Sequence, residues 1–281
     1  MLTVKSIAEM KATRAGLTGS VGFVPTMGAL HEGHLSLIRR SKDENDATVV
    51  SIYVNPTQFG PREDLSAYPR PIDDDLAKCG DLGVDVAFVP ASDEVYPPDF
   101  ATWVEVEGIT NRLCGLSRPE HFRGVTTVVL KLLNIVAPTR AYFGRKDAQQ
   151  LIVIRRMVED LNVDCEVVTC ATMREPDGLA MSSRHAYLDE SGRKRAASIY
   201  PALMTVQRAF DGGERGVNRL VSLLEAELGD EVDRVDYAEI VRERDLGEIE
   251  TISEPALCAV AVHIGTTRLI DNITLTPDEA E

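Results

Sequence analysis

The sequence is poor in features that would point to a membrane, a disulfide scaffold or a nucleic acid. It has no apolar run near the roughly eighteen residues that a membrane helix requires, and no apolar leader near its first residue. Its five cysteines are scattered without a Cys-x-x-Cys pair, which favours reduced thiols over disulfides or a zinc site. Lys and Arg (30) are outnumbered by Asp and Glu (45), and the charge of −15 argues against nucleic acids and anionic membranes. We therefore expect a cytoplasmic protein that binds neither.

The sequence does contain enough apolar material, 44% of 281 residues, for one large or two modest domains. Strand-like and helix-like stretches alternate up to about residue 188, which predicts an α/β domain with a parallel sheet. From Asp189 onward charged helices come first and strands afterwards, which predicts a smaller α+β domain. We expect the domains to span residues 1–175 and 176–281, with the acidic end, residues 277–281, frayed.

Periodicity and turn residues also predict individual elements. Residues 3–14 are expected to form a helix, and residues 102–106 a short edge strand. Residues 114–124 are expected to form a cation-rich loop that is either solvated or closes over an anion, and we favour a mobile loop. The other predicted elements are strands over 47–54, 85–90, 141–143, 166–170, 235–241, 257–264 and 267–274, helices ending near 44 and 160, and helices over 125–136, 190–210 and 215–228.

The segment VGFVPTMGALHEGHLSLI, residues 21–38, organises the first half of the chain. Its apolar start predicts a buried strand, its PTMGA a tight turn, and its end a helix. Gly28 lets the backbone approach a ligand closely, and the helix start offers unpaired N–H groups to a phosphate. His31 and His34, three residues apart, lie on one face of that helix start. The pair is one residue too close for a zincin helix and matches His-x-Gly-His, the first signature of nucleotidyltransferases that make adenylates.

Polar side chains follow two further predicted strands. Asn55 and Gln58 stand where open α/β sheets place their ligands, although a simple Asx turn before a proline explains them equally well. Gly144 opens a second junction of strand, glycine and helix. There Lys146 can contact a phosphate, and Asp147 can orient Lys146 or hold a metal's water. The alternative is that the two residues are an ordinary charged helix start.

A turn-rich segment, residues 173–188, joins the two predicted domains. Within it Ser182, Ser183 and Arg184 offer two hydroxyls and a guanidinium, a set that can hold pyrophosphate. The serines suit the cap of the next helix equally well. Both interpretations stay open on the local pattern alone.

Five segments taken together resemble one family. They are PTMGALHEGH (25–34), VNPTQF (54–59), HFRGV (121–125), FGRKDAQQ (143–150) and DGLAMSSR (177–184). In this order and spacing they resemble the pantoate-β-alanine ligases over nearly the first 190 residues. The resemblance implies a Rossmann-like adenylate-forming domain with a small C-terminal lid domain, a cytoplasmic homodimer, and a requirement for ATP and Mg²⁺. It also implies that pantoate condenses with β-alanine through a pantoyl adenylate, with release of AMP and pyrophosphate.

The resemblance also implies roles for single residues. His34 is expected to be the proton donor, and Gln58 and Gln150 to bind pantoate from two sides; Asn55 is expected to bind the substrate with them. The residues implied in catalysis are His31, His34, Lys146 and Arg184. Those implied in ATP binding are Met27, Gly28, Ala29, Leu30, His31, Glu32, Gly33, His34, Gly144, Arg145, Lys146, Asp147, Met173, Met181, Ser182, Ser183 and Arg184. The metal ligands are not assigned.

Two other functions remain open at this point. Another adenylyltransferase with a phosphorylated acceptor would need further cations, whereas the Gln58 and Gln150 pair suits a polar hydroxy acid. A nucleotide-binding module without catalysis would not need the histidines, lysine and arginine of the junctions, and turnover separates the two. One departure from the family pattern is His185, which stands where the family has Asn.

Overall fold

The computed structural model describes residues 1–61 and 63–277, so the predicted fraying of residues 278–281 lies outside the described part of the chain. Within those ranges no helix is both long and apolar enough to cross a membrane. The described residues build a six-stranded parallel sheet and a separate three-stranded antiparallel sheet. This confirms the predicted α/β fold with a smaller C-terminal α+β unit.

The strand order of the larger sheet changes direction near the middle of the sheet. Its strands are β1 (Leu2–Val4), β2 (Val21–Thr26), β3 (Ala47–Ile52), β4 (Val86–Phe88), β5 (Arg140–Gly144) and β6 (Glu166–Cys170). They lie in the order β1-β4-β3-β2-β5-β6, all parallel. The chain runs outward from β2 to β4 on one side and from β5 to β6 on the other. Open α/β sheets bind ligands beyond the carboxyl ends of the strands at such a switch point.

Helices cover the sheets. Within the described ranges the α-helices are α1 (Ile7–Gly16), α2 (Glu32–Glu44), α3 (Ile72–Asp81), α4 (Ser92–Val95), α5 (Cys114–Ser117), α6 (His121–Val136), α7 (Ala148–Asp160), α8 (Glu190–Ala196), α9 (Ile199–Asp211) and α10 (Val217–Leu228). Every residue of β3 is buried, as expected for a parallel strand with helices on both faces. The stripe of α6 that includes Val125, Val129 and Leu132 packs in the same core as Phe23 of β2.

The C-terminal sheet consists of β7 (Arg234–Arg242), β8 (Ala256–Ile264) and β9 (Thr267–Leu275). Its core, shared with α9 and α10, draws its buried residues from positions 179–275, whereas the two cores around the larger sheet draw theirs from positions 4–170. A smaller apolar cluster joins the two halves. The division into domains at 175/176 is consistent with this separation and stays a prediction.

The first predicted helix, residues 3–14, is wrong at its start. Leu2–Val4 instead pairs with β4 at the edge of the sheet, a long-range contact that the local pattern does not reveal. The helix begins at Ile7 because Ser6 and Glu9 form a reciprocal capping box.

Three later predictions also need correction. No strand forms at 102–106, because the backbone of Val104 hydrogen-bonds the side chains of Thr126 and Thr127 on α6 rather than a neighbouring strand. The predicted loop 114–124 contains α5 and the first turn of α6. The predicted helix 190–210 is divided into α8 and α9, because Pro201 has no N–H for the bond that an unbroken helix would need there.

Candidate active site

Helix α3 holds the turn between β2 and α2 from behind. Gly28 and Ala29 have positive φ angles of 82° and 50°, so the backbone reverses within two residues. The buried carboxylate of Asp75 accepts hydrogen bonds from the N–H groups of Ala29 (2.8 Å) and Leu30 (2.7 Å). A Cβ atom at Gly28 would lie 2.9 Å from Asp75 Oδ2, so this close approach requires glycine.

Sequence reasoning missed Asp75. It is the last of three aspartates at the start of α3, a run that is usual at a helix N-terminus. One signal was available, because Asp75 precedes the buried Cys79 by four residues and so shares the apolar face of the helix. A carboxylate there needs partners. Lys78 completes the attachment by donating from Nζ to the carbonyl of Leu30 at 2.7 Å.

His31 and His34 are bound into the start of α2. His31 Nδ1 accepts from the N–H of Gly33 at 3.2 Å, and His34 Nδ1 accepts from the N–H of His31 at 3.4 Å. A ring nitrogen that accepts carries no proton, so each neutral ring carries its proton on Nε2. The ring centroids are 4.0 Å apart, and both rings line the cleft. The pair therefore offers N–H donors.

Both rings are neutral at physiological pH. Burial, followed by the nearby Lys146 cation, lowers the pKa of His31 to about 4. Burial, followed by the neighbouring His31, lowers the pKa of His34 to about 3. The negative charge of a bound polyphosphate favours the protonated form and would raise both pKa values.

The turn after β5 brings Lys146 and Asp147 to the cleft. None of the ion pairs within the described ranges includes Lys146, so its charge is available to an anion. The Arg145 side chain instead pairs at 2.5 Å with Glu243, which lies in the turn directly after β7. From β9 of the C-terminal sheet, Asn272 Nδ2 donates to the carbonyls of Arg145 (3.1 Å) and Lys146 (2.9 Å).

Ser182, Ser183 and Arg184 also line the cleft. Ser182 caps a short 3₁₀ turn by accepting from the N–H of Arg184 at 3.3 Å, whereas Asp189 caps the next helix, α8; the binding of pyrophosphate by the serines stays a prediction. Arg184 contacts both carboxylate oxygens of Asp64 at 3.2 Å. Burial, followed by Lys146, lowers the pKa of the adjoining His185 to about 4, so this departure from the family pattern adds no charge at neutral pH.

A buried amide orients Gln58. Asn55, 1% exposed, donates from Nδ2 to Gln58 Oε1 at 3.0 Å and to the carbonyl of Gly124 at 3.2 Å, and its Oδ1 accepts from Thr57. Gln58 Nε2 lies 3.1 Å from Met27 Sδ in the first turn. These contacts join Asn55 to Gln58, and the binding of substrate by Asn55 stays a prediction.

Two residues of the predicted loop reinforce the same corner. Arg118 Nη2 and His121 Nδ1 contact the backbone carbonyl of Gln58 at 3.1 and 2.9 Å. A carbonyl only accepts, so His121 carries its proton on Nδ1, unlike the first two histidines. Arg118 also forms two 2.6 Å bonds to Glu63. These contacts fix a segment for which the sequence indicated mobility.

These groups surround a cleft of about 1130 Å³ that the C-terminal sheet also borders. That volume exceeds what one small ligand needs. The structure thus brings together segments from both predicted domains. The predicted residues that line the cleft are Met27, His31, Gly33, His34, Asn55, Gln58, Gly144, Lys146, Asp147, Gln150, Met173, Met181, Ser182, Ser183 and Arg184. Those that shape its turns or pair elsewhere are Gly28, Ala29, Leu30, Glu32 and Arg145.

The next feature concerns the metal that ATP brings. Across the described ranges, no three His, Cys, Asp or Glu side chains converge as a metal site. Mg²⁺ commonly needs only one or two carboxylates when a substrate's phosphates supply further ligands. Asp147, beside Lys146 in the cleft, fits that smaller part.

Comparison with known proteins agrees with this geometry. The sequence model of the pantoate-beta-alanine ligase family matches residues 2–274. Pantothenate synthetases of Thermosipho africanus and Roseiflexus castenholzii are 50% and 52% identical, each over 98% of this chain and 100% and 99% of their own lengths. The crystal structure of pantothenate synthetase from Thermus thermophilus is 46% identical, superposes with a TM-score of 0.94, and is matched over 99% of this chain and 100% of its own. The chain belongs to the pantoate-β-alanine ligase family.

Proposed function

We propose that the cleft joins pantoate to β-alanine in two steps driven by ATP. The pantoate carboxylate attacks the α-phosphorus and pyrophosphate leaves, which gives pantoyl adenylate. The β-alanine amine then attacks the acyl carbon, an amide bond forms, and AMP leaves. The observation that carries the proposal is the meeting of the His31 and His34 turn with the Lys146 turn at the switch point of the sheet.

The two glycine turns and the serine-arginine run form the proposed ATP site. The backbone of residues 27–34 bends around the nucleotide, Met173 and Met181 border it, and Lys146 and Arg184 meet its phosphates. Arg184 would exchange its 3.2 Å contacts with Asp64 for phosphate oxygens. These cations stand where charge grows on the leaving pyrophosphate.

His31 and His34 act as neutral hydrogen-bond donors when ATP enters. Their backbone-bound Nδ1 atoms leave the Nε2–H groups for phosphate oxygens. The negative charge of bound ATP raises the pKa of His34, so a larger share of the rings takes up a proton from water and becomes imidazolium, the form that can give a proton to the leaving pyrophosphate. This makes His34 the proton donor of the proposed mechanism.

Gln58 and Gln150 hold pantoate. Gln58 is oriented by Asn55, and Gln150 lies on the first turn of α7 beyond Lys146. Amide groups can bond both the hydroxyls and the carboxylate of a hydroxy acid. Gln58 also lies next to the Arg118 and His121 corner, where β-alanine would approach the adenylate.

Mg²⁺ is the proposed metal, with Asp147 as its protein ligand. When bound, the ion neutralises charge on the phosphate oxygens. The chain itself contributes the turn that carries Asp147 and the adjoining Lys146.

The C-terminal domain, residues 176–281, is proposed to act as a lid. Its strand β9 already borders the cleft. Exclusion of water protects the mixed anhydride until a neutral amine reaches it. From the family we also propose a cytoplasmic homodimer, which sedimentation of the purified protein and cell fractionation test.

Pyrophosphate release by the purified protein with ATP, Mg²⁺ and pantoate tests the function. We expect pantoate-dependent release, and AMP with pantothenate only after β-alanine is added. Absence of pantoate-dependent release would refute the proposed acceptor.

The same assay tests His34. We expect His34→Ala to lower the rate of pyrophosphate release by about 10²- to 10³-fold, because one donor to the developing charge is lost. His34→Gln, which keeps an N–H donor, is the matched variant and should retain more activity. Equal rates in wild type and His34→Ala would contradict the role.

A further inference from the structure

We propose that Asn272 of the C-terminal sheet is a positioning residue that sets the Lys146 turn for adenylate formation. The inference rests on the proposed function, because it assumes that Lys146 meets the phosphates of ATP. Asn272 lies on β9, and among the described residues its side chain is the one that bonds the backbone of this turn from across the cleft.

The geometry settles the direction of the Asn272 amide. Its nitrogen lies 3.1 Å from the carbonyl oxygen of Arg145 and 2.9 Å from that of Lys146. Carbonyl oxygens only accept, so both contacts need the two N–H groups of the amide. One side chain therefore fixes two successive peptide units immediately around the Lys146 Cα atom.

The cost of this arrangement indicates a role beyond stability. Asn272 is 6% exposed, and its Oδ1 is buried without a hydrogen-bond partner among the described residues. An unpaired buried acceptor opposes folding and offsets part of the stability that the two bonds donated by the amide contribute. What an apolar side chain cannot do is hold two carbonyls in register.

The strand that carries Asn272 is itself firmly attached. The neighbouring Asp271, also buried, forms bonds of 2.6 and 3.0 Å to Arg174. Arg174 follows Met173, which borders the proposed ATP site. Strand β9 thus contacts both the Met173 segment and the Lys146 turn, and a shift of β9 would move them together.

The test uses Asn272→Ala and Asn272→Asp in the full-length protein. Asn272→Asp keeps the shape but replaces the donor amide by a carboxylate that repels the two carbonyls. We expect both variants to lower pantoate-dependent pyrophosphate release by about 10- to 100-fold, since small misplacements of a catalytic group have effects of this size. The reaction of synthetic pantoyl adenylate with β-alanine should stay within about twofold. Asn218→Ala, at an exposed position on α10, is the control and should match wild type in both assays.

The same substitution in a Lys146→Ala protein separates an effect on the position of Lys146 from a general loss of structure. In a Lys146→Ala protein, adding Asn272→Ala should lower the residual rate of pyrophosphate release by clearly less than in wild type, because the part of the effect that passes through Lys146 is already lost. The same loss in both backgrounds, or an equal loss in both half-reactions, would overturn the positioning role. Unchanged pyrophosphate release in Asn272→Asp would overturn it too. If Lys146→Ala alone left the release unchanged, the proposed role of Lys146 would fail first.

Discussion

At the scale of single residues, Asp75 controls the site without lining it. Its carboxylate receives both N–H groups that follow the Gly28 turn. We expect Asp75→Asn to raise the KM for ATP about tenfold and to lower the free energy of unfolding by about 2 kcal/mol, because an amide can accept one of these bonds but opposes the other. Steady-state kinetics and urea unfolding measure the two effects.

Asp74→Asn is the matched control, since Asp74 is exposed on the same helix turn. It should change the unfolding free energy by less than about 0.5 kcal/mol. An Asp75→Asn protein with the KM of wild type would show that the turn keeps its shape unaided.

What could be predicted for single residues depended on where their partners lie. His31, His34 and Lys146 were predicted because the strand, turn and helix that carry them are contiguous in sequence. Asp75 and Asn272 were not, because each bonds a turn distant in the chain. No local pattern encodes such a pairing.

At the scale of elements, α6 sets the position of the turn that carries Gln58. A Cβ atom at Gly124 would lie 2.3 Å from the carbonyl oxygen of Thr57 and 2.7 Å from the nitrogen of Gln58. Gly124→Ala therefore has to push the turn away from the helix. We expect kcat/KM for pantoate to fall about 10- to 100-fold while the KM for ATP stays near wild type.

Gly80→Ala on α3 is the matched control, because nothing lies within 4 Å of its Cβ position. Because alanine has a higher helix propensity than glycine, the free energy of unfolding should rise by up to about 1 kcal/mol. An equal rise in both KM values of Gly124→Ala would instead mean that the whole cleft had shifted.

Elements with a strong repeating pattern were predictable, and those defined by distant partners were not. The C-terminal strands were predicted because each is a long run of residues, many of which have a high β-propensity. Strand β1 has three residues and exists through its pairing with β4. The β-branched run near Val104 formed no strand, because its backbone bonds the side chains of Thr126 and Thr127 on α6. A strand would have needed the backbone of a neighbouring strand as its partner.

At the scale of the molecule, half-buried histidines make stability depend on pH. The groups concerned, with pKa values lowered mainly by burial, are His31 (about 4), His34 (about 3), His121 (about 3) and His185 (about 4). In the unfolded chain these histidines take up protons near pH 6.5, whereas in the folded chain they stay neutral until the pH is much lower. The free energy of unfolding therefore falls as the pH drops from 6.5 towards 4. At pH 5 the loss is about 2 kcal/mol for each of His34 and His121.

Urea unfolding at pH 7.5, 6 and 5 measures this dependence. In a protein with both His34→Gln and His121→Gln, which cannot take up the protons, the decline between pH 6.5 and 5 should be shallower. Parallel curves for the two proteins would assign the acid sensitivity to other groups.

The strand order of the larger sheet also has a consequence on the ribosome. Strand β2 is covered on one side by β3 soon after synthesis, but its other neighbour, β5, begins only at Arg140. While the chain between β3 and β5 is being translated, one edge of β2 therefore has no neighbouring strand. Unpaired strand edges of this kind are prone to aggregation and are bound by chaperones. Binding of ATP cannot stabilise the chain at this stage, because the Lys146 turn of the proposed ATP site follows β5 and has not yet been synthesised.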